Sequence, residues 1–147
     1  MLMYSLFEMT AFAFSICSLI CVSTLFAAPA SSNNALATAA IASQAWLDLV
    51  DNGRYDQSWD KASKLMKIAM PKEEWVEFLN LTRKPLGKHI SRQVLDQRTA
   101  KNPHGLPQGD YMVMYYKTSF PNKPDVHELV TLFLEEGEWR VLTYQVN

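Results

Sequence analysis

Apolar side chains recur at intervals of about three and four residues in one long stretch of the chain. The repeating positions are Ala35, Ala39, Ala42, Trp46, Leu49 and Val50. This spacing places them on one face of an α-helix, so we predict an amphipathic helix that ends at Asn52-Gly53. Glycine ends a helix readily because it tolerates the left-handed conformation after the last turn. The polar residues 31–34 are interpreted as a flexible lead-in that carries helix-capping side chains.

Two further helical patterns follow. Residues 54–64 are predicted to form a short helix, because this stretch carries Tyr55, Trp59 and Ala62. Residues 65–70 are interpreted as an apolar connection that is helical at its start. The next helix begins at Pro71, which suits a first helical turn, and two glutamates after it favour the positive end of the helix dipole. Its buried face is predicted to hold Trp75, Phe78, Leu79 and Thr82, and residues 83–87 end it because they contain Pro85.

After Gly87 the pattern changes to the alternation that is typical of strands. Strands are predicted at residues 89–99, 110–120, 125–135 and 139–146. Short turns separate the last three strands, which indicates antiparallel neighbours. The predicted fold class is therefore α+β, with N-terminal helices packed on a curved four-stranded antiparallel sheet.

The first 30 residues form a segment of a different kind. Residues 9–30 are uncharged and mostly apolar, which is typical of a signal peptide or a membrane anchor. Ala28-Pro29-Ala30 fits the small-x-small pattern of a signal peptidase site, with cleavage between Ala30 and Ser31. A signal peptide usually begins with Lys or Arg, which is absent before residue 10, and the apolar run is long for a signal peptide. A retained membrane anchor is therefore the second interpretation, and a buried core helix is the third. Residues 31–147 are predicted as a single domain that is exported to the periplasm or the extracellular space or, if the segment is retained, anchored in the inner membrane.

Composition narrows the function further. The 147 residues include 14 Lys or Arg and 15 Asp or Glu, a net charge of −1. Nucleic-acid binding usually needs a basic face, and a nearly neutral charge balance gives no electrostatic case for one, so we expect no nucleic-acid partner. Cys17 and Cys21 share one helical face but have no further metal ligands near them, and the apolar interpretation is favoured. A chain cleaved after Ala30 has no cysteine.

Several motifs together resemble an uncharacterised exported bacterial family, the domain of unknown function number four thousand and nineteen. They are Trp46-Leu47-x-Leu49-Val50-Asp51-x-Gly53-x-Tyr55-x-x-Ser58-Trp59, Trp75, Arg83-x-Pro85-Leu86-Gly87, Gly109-x-Tyr111 and Gly137-x-Trp139-Arg140-Val141-x-x-Tyr144. The resemblance covers about residues 35–146. It implies export and a cone-shaped fold similar to nuclear transport factor 2 and the cystatins. It implies no established activity and assigns no catalytic residue.

Enzymes with such a cone use a carboxylate and a tyrosine at its mouth. The candidates here are Asp48 or Asp51 with Tyr55, Tyr111, Tyr115 or Tyr116. Proton transfer needs a carboxylate in an apolar cleft, whereas both aspartates lie near a helix end among polar neighbours, so we favour a solvated role for them. The histidines, His89, His104 and His127, have no metal-ligand spacing. No cofactor motif is present, so no cofactor, catalytic or metal residue is assigned.

Bulky apolar side chains give the best hint of a ligand. Trp46, Trp59, Met112 and Met114 are predicted to line a pocket, with Met66 and Met70 as further candidates, although core filling is the plainer interpretation. We therefore predict a non-enzymatic exported domain that binds a small apolar ligand or a protein partner. The partner can also be a second copy of the chain, in a homodimer formed through the outer face of the sheet. The alternatives are a small isomerase or dehydratase acting by proton transfer, and a membrane-tethered envelope subunit.

Overall fold

The computed structural model describes residues 30–147, with side chains from Asn34 onward. Within this part of the chain, four α-helices precede four strands. The elements are α1 (Ala30–Asp51), α2 (Tyr55–Lys61), α3 (Lys64–Ala69), α4 (Lys72–Thr82), a 3-10 turn (Lys84–Leu86), β1 (Ser91–Lys101), β2 (Asp110–Phe120), β3 (Lys123–Glu135) and β4 (Glu138–Val146). The predicted signal peptide or anchor lies outside the described residues. Within residues 30–147 no helix is long and apolar enough to cross a membrane.

The strands form one open antiparallel sheet in the order β1-β2-β3-β4. The helices pack on one face, where α1 contacts β2, β3 and β4. This confirms the predicted α+β class, while the likeness to a cone stays a prediction. The register shifts within all three strand pairs, and such bulges bend a strand and re-aim its side chains.

An aromatic cluster forms the centre of the core. Trp46 of α1 lies 5.8 Å from Trp75 of α4 and 5.5 Å from Tyr144 of β4, measured between ring centroids. All three side chains are buried. Tilted aromatic pairs at these distances add roughly 0.5–1.5 kcal/mol each beyond the burial of their surface. The tryptophans therefore join the first helix, the last helix and the last strand.

Several predicted boundaries are wrong, and β1, which was predicted at residues 89–99, is observed at Ser91–Lys101. Helix α1 begins at Ala30, so residues 31–34 are helical and not a flexible lead-in, because a helix extends cheaply once its alanine-rich part has formed. Residues 54–70 hold two helices, since Ser63 starts α3 by accepting a hydrogen bond on its Oγ from the Met66 N–H. Strand β3 begins at Lys123 and includes Pro124, which is tolerated there because β4 pairs with β3 only from Glu128 onward.

Candidate functional site

Four charged side chains from four separate elements meet beneath the helices. Asp51 ends α1, Arg83 follows α4, Arg92 lies on β1 and Glu128 on β3. Arg92 donates to both Asp51 oxygens at 2.8 and 3.0 Å and to Glu128 Oε2 at 2.7 Å, and Arg83 donates to Asp51 Oδ1 at 2.8 Å. No side chain of the four is more than 9% exposed. We call these four residues the ion cluster, and their formal charges cancel.

Neighbouring groups satisfy most of the remaining polar atoms of the ion cluster. The Tyr144 hydroxyl donates to Glu128 Oε1 at 2.5 Å, and the Thr118 hydroxyl donates to Oε2. Arg83 Nη1 donates to the Gly87 carbonyl at 2.8 Å, and its guanidinium stacks 4.0 Å from the centre of the Phe120 ring. A buried ion pair is tolerated when such hydrogen bonds complete it. The ion cluster therefore binds its own members and leaves little capacity for a ligand.

The charges in the ion cluster determine how its members titrate. Burial favours the neutral form of Asp51, but the hydrogen bonds and positive charges of Arg92 and Arg83 outweigh it and hold the pKa of Asp51 below its usual value. Burial and the adjacent Glu128 raise the pKa of Tyr144 well above its usual value. Asp51 is thus an ionised, weakly basic carboxylate, and Tyr144 is a neutral hydrogen-bond donor. Neither is tuned for proton transfer near neutral pH.

The sequence interpretation of the two aspartates is half correct. Asp48 is exposed and accepts a hydrogen bond from Gln44 at 2.9 Å. The solvated interpretation of Asp51 is wrong, because Arg83 and Arg92 reach it from 32 and 41 residues along the chain. Contacts at that separation leave no trace in the local pattern around Asp51.

The four candidate tyrosines are dispersed. Tyr55 is buried in α2, and Tyr116 is buried on β2 with its hydroxyl 2.8 Å from Ser43 Oγ. Tyr111 donates to the Pro107 carbonyl at 2.7 Å, and Tyr115 has the Arg98 guanidinium over its ring at 5.3 Å. The carboxylate–tyrosine pair that does form is Glu128 with Tyr144, and both are buried.

Sequence reasoning missed Glu128, Arg92, Arg83 and Tyr144 as a group. A signal was present for two of them. Glu128 has the same strand parity as Val126 and Val130, so a charged residue occupies an inward position. Arg83 continues the helical face of Trp75 and Leu79 at intervals of four residues. A charge on an apolar face predicts a buried partner, although it does not identify that partner.

A different region of the inner side carries an apolar groove. It lies between α3, α4 and β4, and the loop after β1 contributes to it. It has a volume of about 450 Å³ and is lined by Leu65, Met66, Ala69, Met70, Trp75, Phe78, Leu106, Pro107, Leu142, Thr143 and Tyr144. Leu142 is the extra residue of the β-bulge in β4. We call this the apolar groove.

The four residues predicted to line a pocket lie outside the apolar groove. Met112 and Met114 are fully buried in the core, and Trp46 is buried with its Nε1 donating to the Ser58 carbonyl at 2.8 Å. Trp59 is half-buried, with Lys67 and Lys72 ammonium groups 5.4 and 5.1 Å from its ring centre. Of the methionines weighed for a pocket, Met66 and Met70 line the groove.

The histidines lie apart from one another. His89 Nδ1 is 3.7 Å from Asp51 Oδ2, at the edge of the ion cluster. His104 is exposed in the loop after β1, and His127 is exposed on β3. Across residues 30–147 no group of three or more His, Cys, Asp or Glu side chains is placed to hold a metal ion.

The comparison with protein families settles the relationship that the motifs indicated. The model of the family described as "Protein of unknown function (DUF4019)" matches residues 42–144, which is most of the chain. This chain belongs to the DUF4019 family. A search of curated proteins finds no match to it. The family description names no activity for a DUF4019 domain.

Several residues of the motifs noted in the sequence hold the scaffold of this DUF4019 domain together. The Ser58 hydroxyl donates to the Tyr55 carbonyl at 2.7 Å and accepts from Trp75 Nε1 at 2.9 Å, while the Ser58 carbonyl accepts from Trp46 Nε1. Gly87 has a positive φ of 88° and lies against Pro121. Apart from Trp75 and Tyr144, the residues that line the apolar groove lie outside these motifs.

Proposed function

We propose that this DUF4019 domain is an exported, non-enzymatic binding domain that takes a small apolar molecule into the apolar groove. The observation that carries the proposal is the groove itself. Its volume of about 450 Å³ falls within the roughly 300–1,000 Å³ of small-molecule pockets. Its walls are almost wholly aliphatic, aromatic and thioether side chains, so a matching ligand is apolar over most of its surface.

The composition of the walls supports a ligand that is chosen by shape. Met66 and Met70 are flexible and polarisable, so they adapt to ligands of different outline. Trp75 and Phe78 supply flat, rigid surfaces with ring centroids 5.6 Å apart. Thr143, which is exposed, offers a hydroxyl at the rim. This arrangement favours an apolar body inside the groove and any polar group of the ligand at the mouth.

An acid–base enzyme is the weaker hypothesis for the same domain. Its carboxylates in the ion cluster are held by two guanidinium groups, and the low pKa of Asp51 makes that carboxylate a weak base. Glu128 is buried and does not line the groove, whereas its partner Tyr144 does. A proton-transfer site would instead place an accessible carboxylate against the bound substrate.

Export is part of the proposal and rests on the sequence. Residues 9–30 are uncharged and mostly apolar, and Ala28-Pro29-Ala30 precedes Ser31. Intact mass spectrometry of the protein from fractionated cells tests it. A chain that begins at Ser31 in the exported fraction supports export, and a full-length chain in the membrane fraction favours the tethered alternative.

A dye-binding experiment tests the groove. The probe is N-phenyl-1-naphthylamine, a neutral apolar dye whose fluorescence rises in apolar surroundings. Ala69 is exposed and lines the groove, so Ala69→Trp fills the groove without disturbing the core. We expect the wild-type domain to bind the dye and Ala69→Trp to bind it at least tenfold more weakly.

The matched control is Ala37→Trp, which adds the same bulk at an exposed position of α1. This variant should bind the dye as the wild type does. Equal affinities for all three proteins would place the dye elsewhere and contradict the proposal. Native mass spectrometry of protein purified from its own cells complements the test, because a mass excess that disappears on denaturation reveals a bound ligand and gives its mass.

A further inference from the structure

The loop between β1 and β2 forms one wall of the apolar groove. This loop, residues 102–109, carries Leu106 and Pro107 to the groove, and we call it the flap. Leu106 is 48% exposed although it is a large apolar side chain. A ligand in the groove would cover part of that surface, so the position of the flap affects both the size of the groove and the gain from filling it.

The base of the flap is closed by one pair of residues. The Asn102 N–H donates to the Gly109 carbonyl at 2.9 Å, and the Gly109 N–H donates to Asn102 Oδ1 at 2.8 Å. Gly109 has a φ of 152°, and a Cβ there would lie 2.5 Å from the Phe133 ring. A side chain at this position would therefore force either the Phe133 ring or the backbone at the base of the flap to move.

A tyrosine hydroxyl joins the flap to the sheet. Tyr111 is 2% exposed, and its ring packs on Phe133 of β3 with centroids 4.9 Å apart. The two residues are also direct partners in the pairing of β2 with β3. Its hydroxyl donates to the Pro107 carbonyl at 2.7 Å. The residue beside Leu106 in the groove wall is thus bound to a fixed point of the sheet.

We propose that Gly109 and Tyr111 are positioning residues that hold the flap against the apolar groove, so that Leu106 and Pro107 set the size of the apolar molecule that the groove accepts. The inference rests on the proposed function of the groove. It also gives the Gly109-x-Tyr111 motif a role, since glycine permits the close approach to Phe133 and tyrosine supplies the hydroxyl that binds the flap. We call the hydrogen bond from the Tyr111 hydroxyl to the Pro107 carbonyl the latch.

Tyr111→Phe tests the latch because it keeps the ring packing and removes only the hydroxyl. Pro107 is exposed, so water can replace the lost donor and the domain should stay folded. We expect faster amide hydrogen exchange across the flap and a loss of N-phenyl-1-naphthylamine affinity of up to about tenfold, because one hydrogen bond shifts the populations of the closed and open flap by roughly that factor. Tyr115→Phe on the same strand is the control and should change neither value.

The two readouts separate the inference from the function on which it rests. Flap exchange that is equal in Tyr111→Phe and the wild type would overturn the latch, whether or not the dye binds. Faster exchange with unchanged dye affinity would overturn the claim that the flap sets what the groove accepts. If the wild-type protein binds no dye, the proposed function fails, and the exchange result alone decides whether Tyr111 holds the flap.

Discussion

The ion cluster and the apolar groove lie on the same side of the sheet and meet at Tyr144, yet they use their surfaces in opposite ways. The hydroxyl of Tyr144 donates to Glu128 in the ion cluster, and the residue also lines the groove. Charged groups in the ion cluster find their partners inside the chain. Apolar groups in the groove face an open space of about 450 Å³.

This difference separates stability from binding. Buried charges are tolerated only when other groups in the fold pair with them, so their geometry is determined by folding. Apolar surface that stays open is not needed for folding, and it is therefore available to a ligand. Substitutions in the ion cluster should affect the free energy of unfolding, and substitutions at the exposed positions of the groove wall, such as Ala69 and Leu106, should affect binding.

The largest effect is expected for Glu128→Ala. This change removes the acceptor for Arg92, Thr118 and Tyr144 and leaves buried donors with fewer partners. We expect the free energy of unfolding to fall by about 3–5 kcal/mol, measured by urea denaturation. The exposed Glu138→Ala is the control. A loss for Glu128→Ala no greater than that of the control would show that the ion cluster does not hold the fold together.

A smaller loss is expected for Ser58→Ala, which belongs to the scaffold but not to the ion cluster. Its hydroxyl is the acceptor for the buried Trp75 Nε1. An indole N–H left without a partner costs roughly 1–3 kcal/mol of unfolding free energy. Ser91→Ala at an exposed position of β1 serves as the comparison. Equal denaturation midpoints for the two variants would rule out Ser58 as a structural hub.

Acid pH should affect the ion cluster through Asp51. The pKa of Asp51 is lowered from 3.8 in the folded state, so the unfolded chain takes up this proton first as the pH falls. The ionised Asp51 therefore stabilises the folded state above about pH 4, and this contribution is lost as the pH falls through the pKa of Asp51 in the folded state. We expect Asp51→Asn to remove part of the slope of stability against pH below about pH 4.

Denaturant titrations at several acidic pH values measure that slope. Asp48→Asn provides the matched control because Asp48 is exposed three residues away on the same helix. A slope in Asp51→Asn that equals the wild-type slope would mean that other carboxylates carry the acid dependence.

The smallest effect on stability is expected in the groove wall. Leu106→Ala removes a half-exposed side chain from the flap, so the free energy of unfolding should change by no more than about 0.5 kcal/mol. The affinity for N-phenyl-1-naphthylamine should fall, because one wall of the groove recedes. A large loss of stability with unchanged dye binding would reverse the proposed division between the two regions.

Local patterns were sufficient for the fold class and for most elements. Spacing of three and four residues identified α1 and α4, and β2 was predicted with its observed bounds, Asp110–Phe120. The errors arose where a single contact overrides the pattern. Ser63 caps α3, so the helix predicted over residues 54–64 ends early and most of the predicted connection is a second helix. Pro124 is accepted in β3 because β4 does not reach it.

The candidate site was predicted less well, because its members are brought together from distant parts of the chain. The signal for Glu128 was its inward parity, but parity does not reveal that Arg92 and Tyr144 meet it there. Four methionines were considered for a pocket. Met66 and Met70 line the groove, whereas Met112 and Met114 fill the core, and composition alone could not distinguish the two pairs.

By itself, the sequence determined the α+β class, the order of the elements, the DUF4019 family and an apolar N-terminal segment, because each of these depends on residues that are close together or on a pattern of residue types. Only the tertiary structure decided that Asp51 is buried and paired, that four charges neutralise one another, and that a loop, two short helices and an edge strand enclose an apolar groove. These features depend on contacts between distant residues, and such contacts are selected by packing and by the cost of burying an unpaired charge.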